Sequence, residues 1–292
     1  MKFGLGIPNH GESANADDQV KAAKIAEESG YDSVWTDDHI IVPKRFEKEY
    51  GFMNEALMTL AYIAARTEKV KLGTSVIVVP QRNPILLAKQ IATLDTLSKG
   101  RAILGVGVGW MEDEFKLLGA GDKFGNRGVF LDESIELMRE LWTKSPANFK
   151  GRFFDIKEGV FLPKPEKPIP IWIGGMSDAA VTRAAKLGDV YHPLWTTPEG
   201  LEKRVRKLRE LGSNIPVSLR MPIDMHRNRS IVVRTSGTRM HQIAGSLDEI
   251  SKEIEQYSKA GMQHLLVEFD VENTETLYGD IRSFATEIVR SF

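Results

Sequence analysis

Short apolar runs alternate along this chain with longer segments in which polar and apolar positions mix at helical spacing. Eight apolar runs predict β-strands, at residues 3–7, 33–35, 70–76, 102–104, 169–173, 190–191, 216–221 and 264–267. Each run is followed by a segment long enough for a helix. Regular alternation of strands and helices is typical of an α/β protein with a parallel sheet.

Capping residues mark the ends of the predicted helices. Four glycines close a helical pattern shortly before an apolar run: Gly30, Gly100, Gly188 and Gly261. Each is expected to adopt a left-handed C-cap conformation. Four segments carry the residue types typical of a helix start: Asn83-Pro84, Ser177-Asp178, Thr197-Pro198 and the capping-box pair Ser246 and Glu249.

Eight strand–helix units in 292 residues favour a single (β/α)8 TIM barrel domain over residues 1–292 rather than an open doubly wound sheet. Two segments do not fit the repeat, at about residues 144–168 and 222–245. They are predicted to be insertions after the fourth and seventh strands, since each is too short to enclose a core. Barrels of this type bind ligands at the C-terminal ends of their strands, so the residues there are the candidates for function.

Composition excludes several classes of function. The 39 basic and 40 acidic residues give a net charge of −1, so no overall field favours nucleic acid or an anionic membrane. The absence of cysteine rules out disulfides, thiolate catalysis and sulfur-ligated zinc. The six histidines are scattered without metal-ligand spacing, so no metal site is expected. Without a signal-peptide pattern or an apolar run of spanning length, we expect a cytoplasmic protein that acts on a small molecule.

A glycine-rich segment, residues 105–110, follows the fourth predicted strand. Gly105, Gly107 and Gly109 alternate with valines and lead to Trp110. Missing side chains would let a flat or phosphorylated ligand approach the backbone. The glycine spacing does not match the dinucleotide-binding fingerprint, which weakens a Rossmann interpretation.

Asp37, Asp38 and His39 follow the second predicted strand, where a barrel carries catalytic residues. A histidine beside carboxylates can exchange a proton near neutral pH. A polar turn held by aspartate side chains is the alternative interpretation. The position at the mouth of the barrel favours the catalytic one.

Two further segments are candidates for ligand binding. The turn over residues 174–177, Gly-Gly-Met-Ser, joins a strand to a helix start and could bind a phosphate, although a simple tight turn has the same sequence. Trp110 and Trp195 could line a substrate pocket or simply pack. The basic segment 226–239 could be a lid over an anion, and a solvated loop is the commoner explanation.

In this order, these segments resemble the bacterial luciferase-like superfamily, and within it the oxidoreductases that use the deazaflavin coenzyme F420. The resemblance is carried by residues 28–39, 72–76, 80–95, 100–115, 163–165, 170–175 and 184–189. It implies a (β/α)8 barrel, a homodimer, a cofactor ring at the barrel mouth and a cis peptide between Ser75 and Val76. It also implies hydride transfer at the deazaflavin carbon, with Asp38 and His39 as the catalytic pair.

The resemblance implies a set of cofactor contacts: Asp38, Ser75, Val76, Gly107, Val108, Gly109, Asp113, Gly174, Gly175 and Met176. One residue departs from the pattern. Related sugar-phosphate dehydrogenases carry a glutamate proton donor immediately after the position of Gly109, and this chain has Trp110 there. The departure argues against a sugar-phosphate substrate and leaves Glu112, Asp113 and Glu114 as candidate substitutes.

Three other functions stay open from the sequence. A monooxygenase of the same superfamily would use reduced FMN, and its barrel would look similar. A protein that keeps the barrel fold but has lost catalytic turnover and only binds its ligand is compatible with Trp110. A lyase or isomerase acting on phosphates would need a lysine at a strand end, and none is found there.

Overall fold

Parallel strands form one curled sheet with helices packed on its outer face. The computed structural model describes residues 1–11, 14–226, 231–233, 239–269 and 273–292. The strands are β1 Lys2–Gly6, β2 Ser33–Thr36, β3 Lys71–Thr74, β4 Ile77–Val78, β5 Ala102–Gly107, β6 Ala147–Lys150, β7 Asp155–Gly159, β8 Ile171–Gly174, β9 Val190–His192, β10 Ser218–Asp224, β11 Ile231–Val233, β12 Arg239–His241, β13 Ile243–Ala244 and β14 His264–Phe269. The α-helices are α1 Ala16–Ser29, α2 Ala56–Ala64, α3 Pro84–Leu97, α4 Glu112–Leu117, α5 Arg127–Thr143, α6 Asp178–Leu187, α7 Pro198–Glu210, α8 Leu247–Lys259 and α9 Thr274–Phe284.

The sheet contains all eight predicted strands, which are confirmed as β1, β2, β3, β5, β8, β9, β10 and β14. Its order is β13-β10-β14-β1-β2-β3-β5-β8-β9, with β4 beside β5. The curl brings β9 back to β10. There the Tyr191 N–H donates to the Pro216 carbonyl, and the Arg220 N–H to the Pro193 carbonyl, each at 3.0 Å. These bonds bring the C-terminal ends of the strands towards one opening.

Successive apolar side chains of each strand pack on opposite faces of the sheet, so both faces are buried. Val34 and Leu104 belong to the large apolar cluster between the sheet and the helices. Their neighbours Trp35 and Ile103 belong to a second cluster inside the curl, together with Trp172. Successive side chains of a strand point to opposite faces, so an apolar run fills the interior and the outer layer together.

The helix ends follow the capping pattern with one exception. Gly30, Gly100 and Gly261 have φ values of 95°, 82° and 108°, as left-handed C-caps require. The prediction for Gly188 is wrong, because its φ is −95°. Glycine is needed there for close packing instead, since an added Cβ would lie 2.7 Å from Cγ1 of Ile173. The predicted helix starts are confirmed, including the capping box of Ser246 with its reciprocal glutamate.

The two segments outside the repeat contain additional strands. In the first, β6 and β7 pair antiparallel between α5 and β8. In the second, β10 continues to Asp224 and β13 pairs with it, while β11 pairs antiparallel with β12. Most of the basic segment 226–239 lies outside the described residues. Among the described helices, none has the length and apolar character required to cross a bilayer.

Candidate active site

A cavity of about 500 Å³ opens where the parallel strands end. Predicted site residues that line it are Asp38, His39, Ser75, Val76, Gly107, Val108, Gly109, Trp110, Gly174, Gly175, Met176 and Trp195. Asp113 is not part of this lining. It forms an ion pair with Arg45 and its side chain is 40% exposed. Nearly all residues predicted from their position at the C-terminal ends of the strands therefore line one cavity, and Asp113 is the exception.

His39 is held at the cavity by a buried carboxylate. Its Nδ1 lies 2.8 Å from Oε2 of Glu114, whose side chain is 1% exposed. The second oxygen, Oε1, accepts the backbone N–H of Ile40 at 2.8 Å. Tyr50 packs against the imidazole with ring centroids 4.5 Å apart. With Nδ1 bonded to the carboxylate, Nε2 is the ring nitrogen left to meet a ligand.

The charge of Glu114 is stabilised by these partners. Burial alone would raise the pKa of Glu114, but its hydrogen bonds with His39 and with the Ile40 N–H outweigh burial and lower the pKa. Glu114 is therefore a carboxylate at neutral pH. Sequence reasoning named it only as a possible proton donor. The pair with His39 joins α4 to the loop after β2, so no local pattern could have found it.

Asp38 lies in the cavity wall, where it positions other groups. Its Oδ2 accepts the backbone N–H of Val78 at 3.0 Å, and its Oδ1 forms an ion pair with Arg82. Burial raises the pKa of Asp38 even though the guanidinium favours the charged form. Both oxygens are used by protein partners, so Asp38 fixes the segment after β3.

The glycines of β5 make room for the chain itself. A Cβ added at Gly105 would lie 1.8 Å from the Thr74 carbonyl oxygen, and one at Gly107 would lie 2.6 Å from Cγ2 of Val76. The peptide between Ser75 and Val76 is cis. The expectation that these glycines mainly let a ligand approach needs correcting, because the neighbouring strand segment occupies that space. Gly107 still lines the cavity, beside Val76.

The predicted anion turn borders the cavity at the start of α6. Ser177 caps this helix by accepting the Ala180 N–H. The Tyr191 hydroxyl donates to the Gly175 carbonyl at 3.0 Å, and Nε of Arg204 donates to the Met176 carbonyl at 3.2 Å. Both bonds use carbonyl groups of the turn. The N–H groups at the start of α6 lie at the positive end of the helix, where an anion is favoured.

Arg220 is a cavity residue that sequence reasoning missed. Its side chain is 13% exposed, and Nη2 donates to Oδ2 of Asp37 at 2.7 Å and to Glu268. Its Nη1 donates to the Ser75 carbonyl. Burial would raise the pKa of Asp37, but the charge of Arg220 lowers it. An arginine inside an apolar strand run was the available signal, since buried charges need partners.

His192 lies in the cavity floor as a neutral imidazole. Its Nε2 lies 2.9 Å from Oγ of Ser75. Burial, assisted by the positive charge of Arg220, lowers the pKa of His192 to about 3. A histidine in this environment carries one proton on its ring at neutral pH, so it can donate one hydrogen bond and accept one.

Acidification is expected to destabilise the fold through His192. In the unfolded chain this histidine has its ordinary pKa near 6.5. Below that pH it is protonated in the unfolded state but stays neutral in the folded state. The free energy of unfolding therefore falls as pH drops from about 6.5 towards 3, with about 2 kcal/mol lost from this residue by about pH 5. Urea unfolding at pH 7 and pH 5 measures this loss. Equal free energies at the two values would contradict it, and pH 7 against pH 8 is the control in which this residue contributes no change.

The chain is similar to known proteins over most of its length. The family described as luciferase-like monooxygenase matches residues 1–280. An F420-dependent glucose-6-phosphate dehydrogenase of Amycolatopsis mediterranei (strain U-32) is 37% identical over 206 residues, 70% of this chain and 60% of the relative. One of the same description from Kineococcus radiotolerans is 33% identical, covering 61% and 51%. In both cases the chain covers less than two thirds of the relative's own length.

Solved structures share the fold at low identity. An F420-dependent secondary alcohol dehydrogenase in complex with an F420-acetone adduct matches with a TM-score of 0.83 at 21% identity, covering 99% of this chain and 98% of the other. A long-chain alkane monooxygenase matches with a TM-score of 0.80 at 14% identity, covering 100% and 90%. At these identities the likeness concerns the fold alone.

Proposed function

Because the chain belongs to the luciferase-like monooxygenase family, we propose that it is an oxidoreductase using the deazaflavin coenzyme F420. The two curated relatives described above are both named as F420-dependent dehydrogenases, which supports this cofactor. The observation that carries the proposal is the 2.8 Å contact between His39 and Glu114 at the cavity. It provides a positioned proton-transfer group next to space for a flat ring.

The residues present fit such a cofactor. A phosphodiester tail would bind at the N-terminal end of α6, at the turn of Gly174, Gly175 and Met176. A flat ring would lie against Val76 and Val108, both of which line the cavity. When bound, the deazaflavin would exchange a hydride with the substrate carbon.

The protein's own part in the reaction is proton transfer. As an alcohol is oxidised, its carbon loses a hydride and its hydroxyl loses a proton, giving a carbonyl compound. Nε2 of His39 accepts the proton, while the Glu114 carboxylate holds Nδ1 and stabilises the resulting imidazolium. In the reverse direction His39 returns the proton to the carbonyl oxygen.

The lining of the cavity favours a small neutral substrate over a sugar phosphate. Among the described residues that line it, no lysine is present. The charge of Arg220 is already matched by Asp37 and Glu268. Trp110, 53% exposed, stands at the mouth beside His39, with ring centroids 6.2 Å apart. We therefore propose an alcohol or ketone substrate with apolar substituents.

Binding of oxidised F420 and of FMN to the purified protein tests the cofactor. We expect fluorescence titration to give a dissociation constant in the micromolar range or below for F420, and at least about tenfold weaker binding of FMN. Tighter binding of FMN together with oxygen-dependent product formation would identify a monooxygenase instead. No binding of F420 at micromolar concentrations would overturn the proposal.

We also propose a closed barrel and a dimeric assembly for this protein. The backbone bonds between β9 and β10 support a closed (β/α)8 barrel, one domain over residues 1–292, with insertions after its fourth and seventh strands. A homodimer is supported by apolar side chains exposed on α2 and α3, namely Met58, Tyr62 and Leu86. Sedimentation velocity is expected to show a dimer, and a monomer at micromolar concentration would contradict that assembly.

A further inference from the structure

A continuous line of buried polar side chains runs from the cavity into the interior of the curled sheet. From the cavity inwards its members are Ser75, His192, Ser218, His264, Ser33 and Trp35, all less than 10% exposed. The successive contacts measure 2.9, 2.9, 2.8, 3.1 and 2.8 Å. Serine and imidazole alternate, and an indole ends the line. We call these six residues the polar chain.

At the inner end of the polar chain, the donor and the acceptor of each hydrogen bond are fixed. The indole Nε1 of Trp35 can only donate, so Oγ of Ser33 accepts that bond. Within the described part of the protein, His264 is the other side-chain partner of Ser33. The Ser33 hydroxyl hydrogen is therefore satisfied only by donating to Nε2 of His264. The opposite arrangement would leave a buried hydroxyl hydrogen without an acceptor, which is unfavourable.

Because a neutral imidazole donates one hydrogen bond and accepts one, the two histidines continue the same donor-to-acceptor direction along the polar chain. Burial lowers the pKa of His264 well below its ordinary value, as it does for His192. If His264 accepts at Nε2, its single proton is on Nδ1 and is donated to Ser218. Ser218 then donates to Nδ1 of His192, whose proton is on Nε2 and is donated to Ser75.

Glycines preserve the inner end of the polar chain. A Cβ added at Gly4 would lie 2.5 Å from Nε1 of Trp35 and 2.8 Å from Oγ of Ser33. One added at Gly73 would lie 2.3 Å from the indole ring. Trp35 therefore occupies a slot open only because these two positions lack side chains, which keeps its N–H directed at Ser33.

We propose that every bond of the polar chain runs from Trp35 towards Ser75, so that the Ser75 hydroxyl presents its hydrogen to an acceptor atom of the ring bound in the cavity. Ser75 and His192 both line that cavity. The Ser75 hydroxyl oxygen accepts the hydrogen bond from His192 on its interior side. Its hydroxyl hydrogen then points to the ligand. The site then selects rings that present a carbonyl oxygen or an unprotonated nitrogen to Ser75. Only the identity of this ring rests on the proposed F420 function.

Histidine tautomers in the ligand-free protein test the direction. The full chain labelled with 15N in its histidines gives two-bond 1H–15N spectra that distinguish protonated from unprotonated ring nitrogens. At pH 7 we expect the proton on Nε2 in His192 and on Nδ1 in His264. The variants Ser75→Ala and Ser33→Ala assign the signals, since each alters the shift of the Nε2 that it contacts. The reverse pair of tautomers would overturn the proposal.

Ligand affinity tests the role of Ser75 separately. Ser75→Ala is expected to weaken binding of oxidised F420 by about five- to tenfold. Ser134→Ala is the matched control. It removes a buried hydroxyl that donates to the Phe130 carbonyl within α5, so F420 affinity should be unchanged. Equal affinities of Ser75→Ala and the unaltered protein would disprove the donor role while leaving the F420 function intact. If the unaltered protein fails to bind F420, the proposed function fails, and the tautomers still decide the direction of the chain.

Discussion

Replacing His39 with asparagine is expected to lower the turnover number by about 10²- to 10⁴-fold, the range typical of general acid–base catalysis. Nδ1 of His39 is bonded to Glu114, so Nε2 is the atom that meets the substrate. Asparagine can still hydrogen-bond to the carboxylate, but it cannot accept a proton near neutral pH. The measurement is deazaflavin reduction, followed by absorbance, with the most active alcohol from a panel of small secondary alcohols.

Two comparisons separate chemistry from binding. The dissociation constant of oxidised F420 for His39→Asn should stay within about threefold of the unaltered protein, since little binding energy depends on this group. Glu114→Gln keeps a hydrogen-bond partner and removes the negative charge, so its turnover should fall less than that of His39→Asn. Unchanged turnover in His39→Asn would show that another group transfers the proton.

Replacing Gly105 with alanine is expected to destabilise the protein by about 3 kcal/mol or more. The added Cβ would lie 1.8 Å from the backbone oxygen of Thr74, so a strand must move. The same pair is joined by two hydrogen bonds, from Oγ1 of Thr74 to the Gly105 carbonyl and from the Gly105 N–H to Oγ1, at 2.8 and 3.1 Å. Movement of β3 would displace the adjacent segment at Ser75, so F420 affinity should fall as well.

The matched control for this effect is Gly279→Ala. Gly279 is a residue of α9, and nothing lies within 4 Å of an added Cβ. Alanine is the better helix former by about 1 kcal/mol, so this variant should be slightly stabilised. Urea unfolding gives both free energies. A Gly105→Ala variant as stable as the unaltered protein would show that β5 adapts without cost.

Local sequence signals were sufficient for the alternation of strands and helices and for most of the residues that line the cavity. Apolar runs marked the eight strands, and the strand-end rule brought His39, Ser75 and Gly174 to one cavity. These features depend on short-range periodicity and on one property of parallel barrels. Gly188 shows the limit of such signals, because glycine after a helix is compatible with both a cap and a tight packing contact.

The unpredicted parts of the site all depend on contacts between distant segments. Glu114 meets His39 across 75 positions, and Arg220 meets Asp37 across 183. Tyr50 belongs to a short π-helix, Glu47–Gly51, in the connection between β2 and α2. Polar residues inside apolar strand runs, such as Ser218 and Arg220, were the one sign in the sequence that the interior contains hydrogen-bonded polar side chains as well as apolar ones.

A crystal structure of the full chain grown with oxidised F420 would show whether the cofactor binds in the cavity. We expect the ring between Val76 and His39, an acceptor atom of the ring within hydrogen-bond distance of Oγ of Ser75, and the phosphodiester at the turn of Gly174 and Gly175. An F420 molecule bound elsewhere, or a cavity that remains without it at saturating concentration, would contradict this expectation.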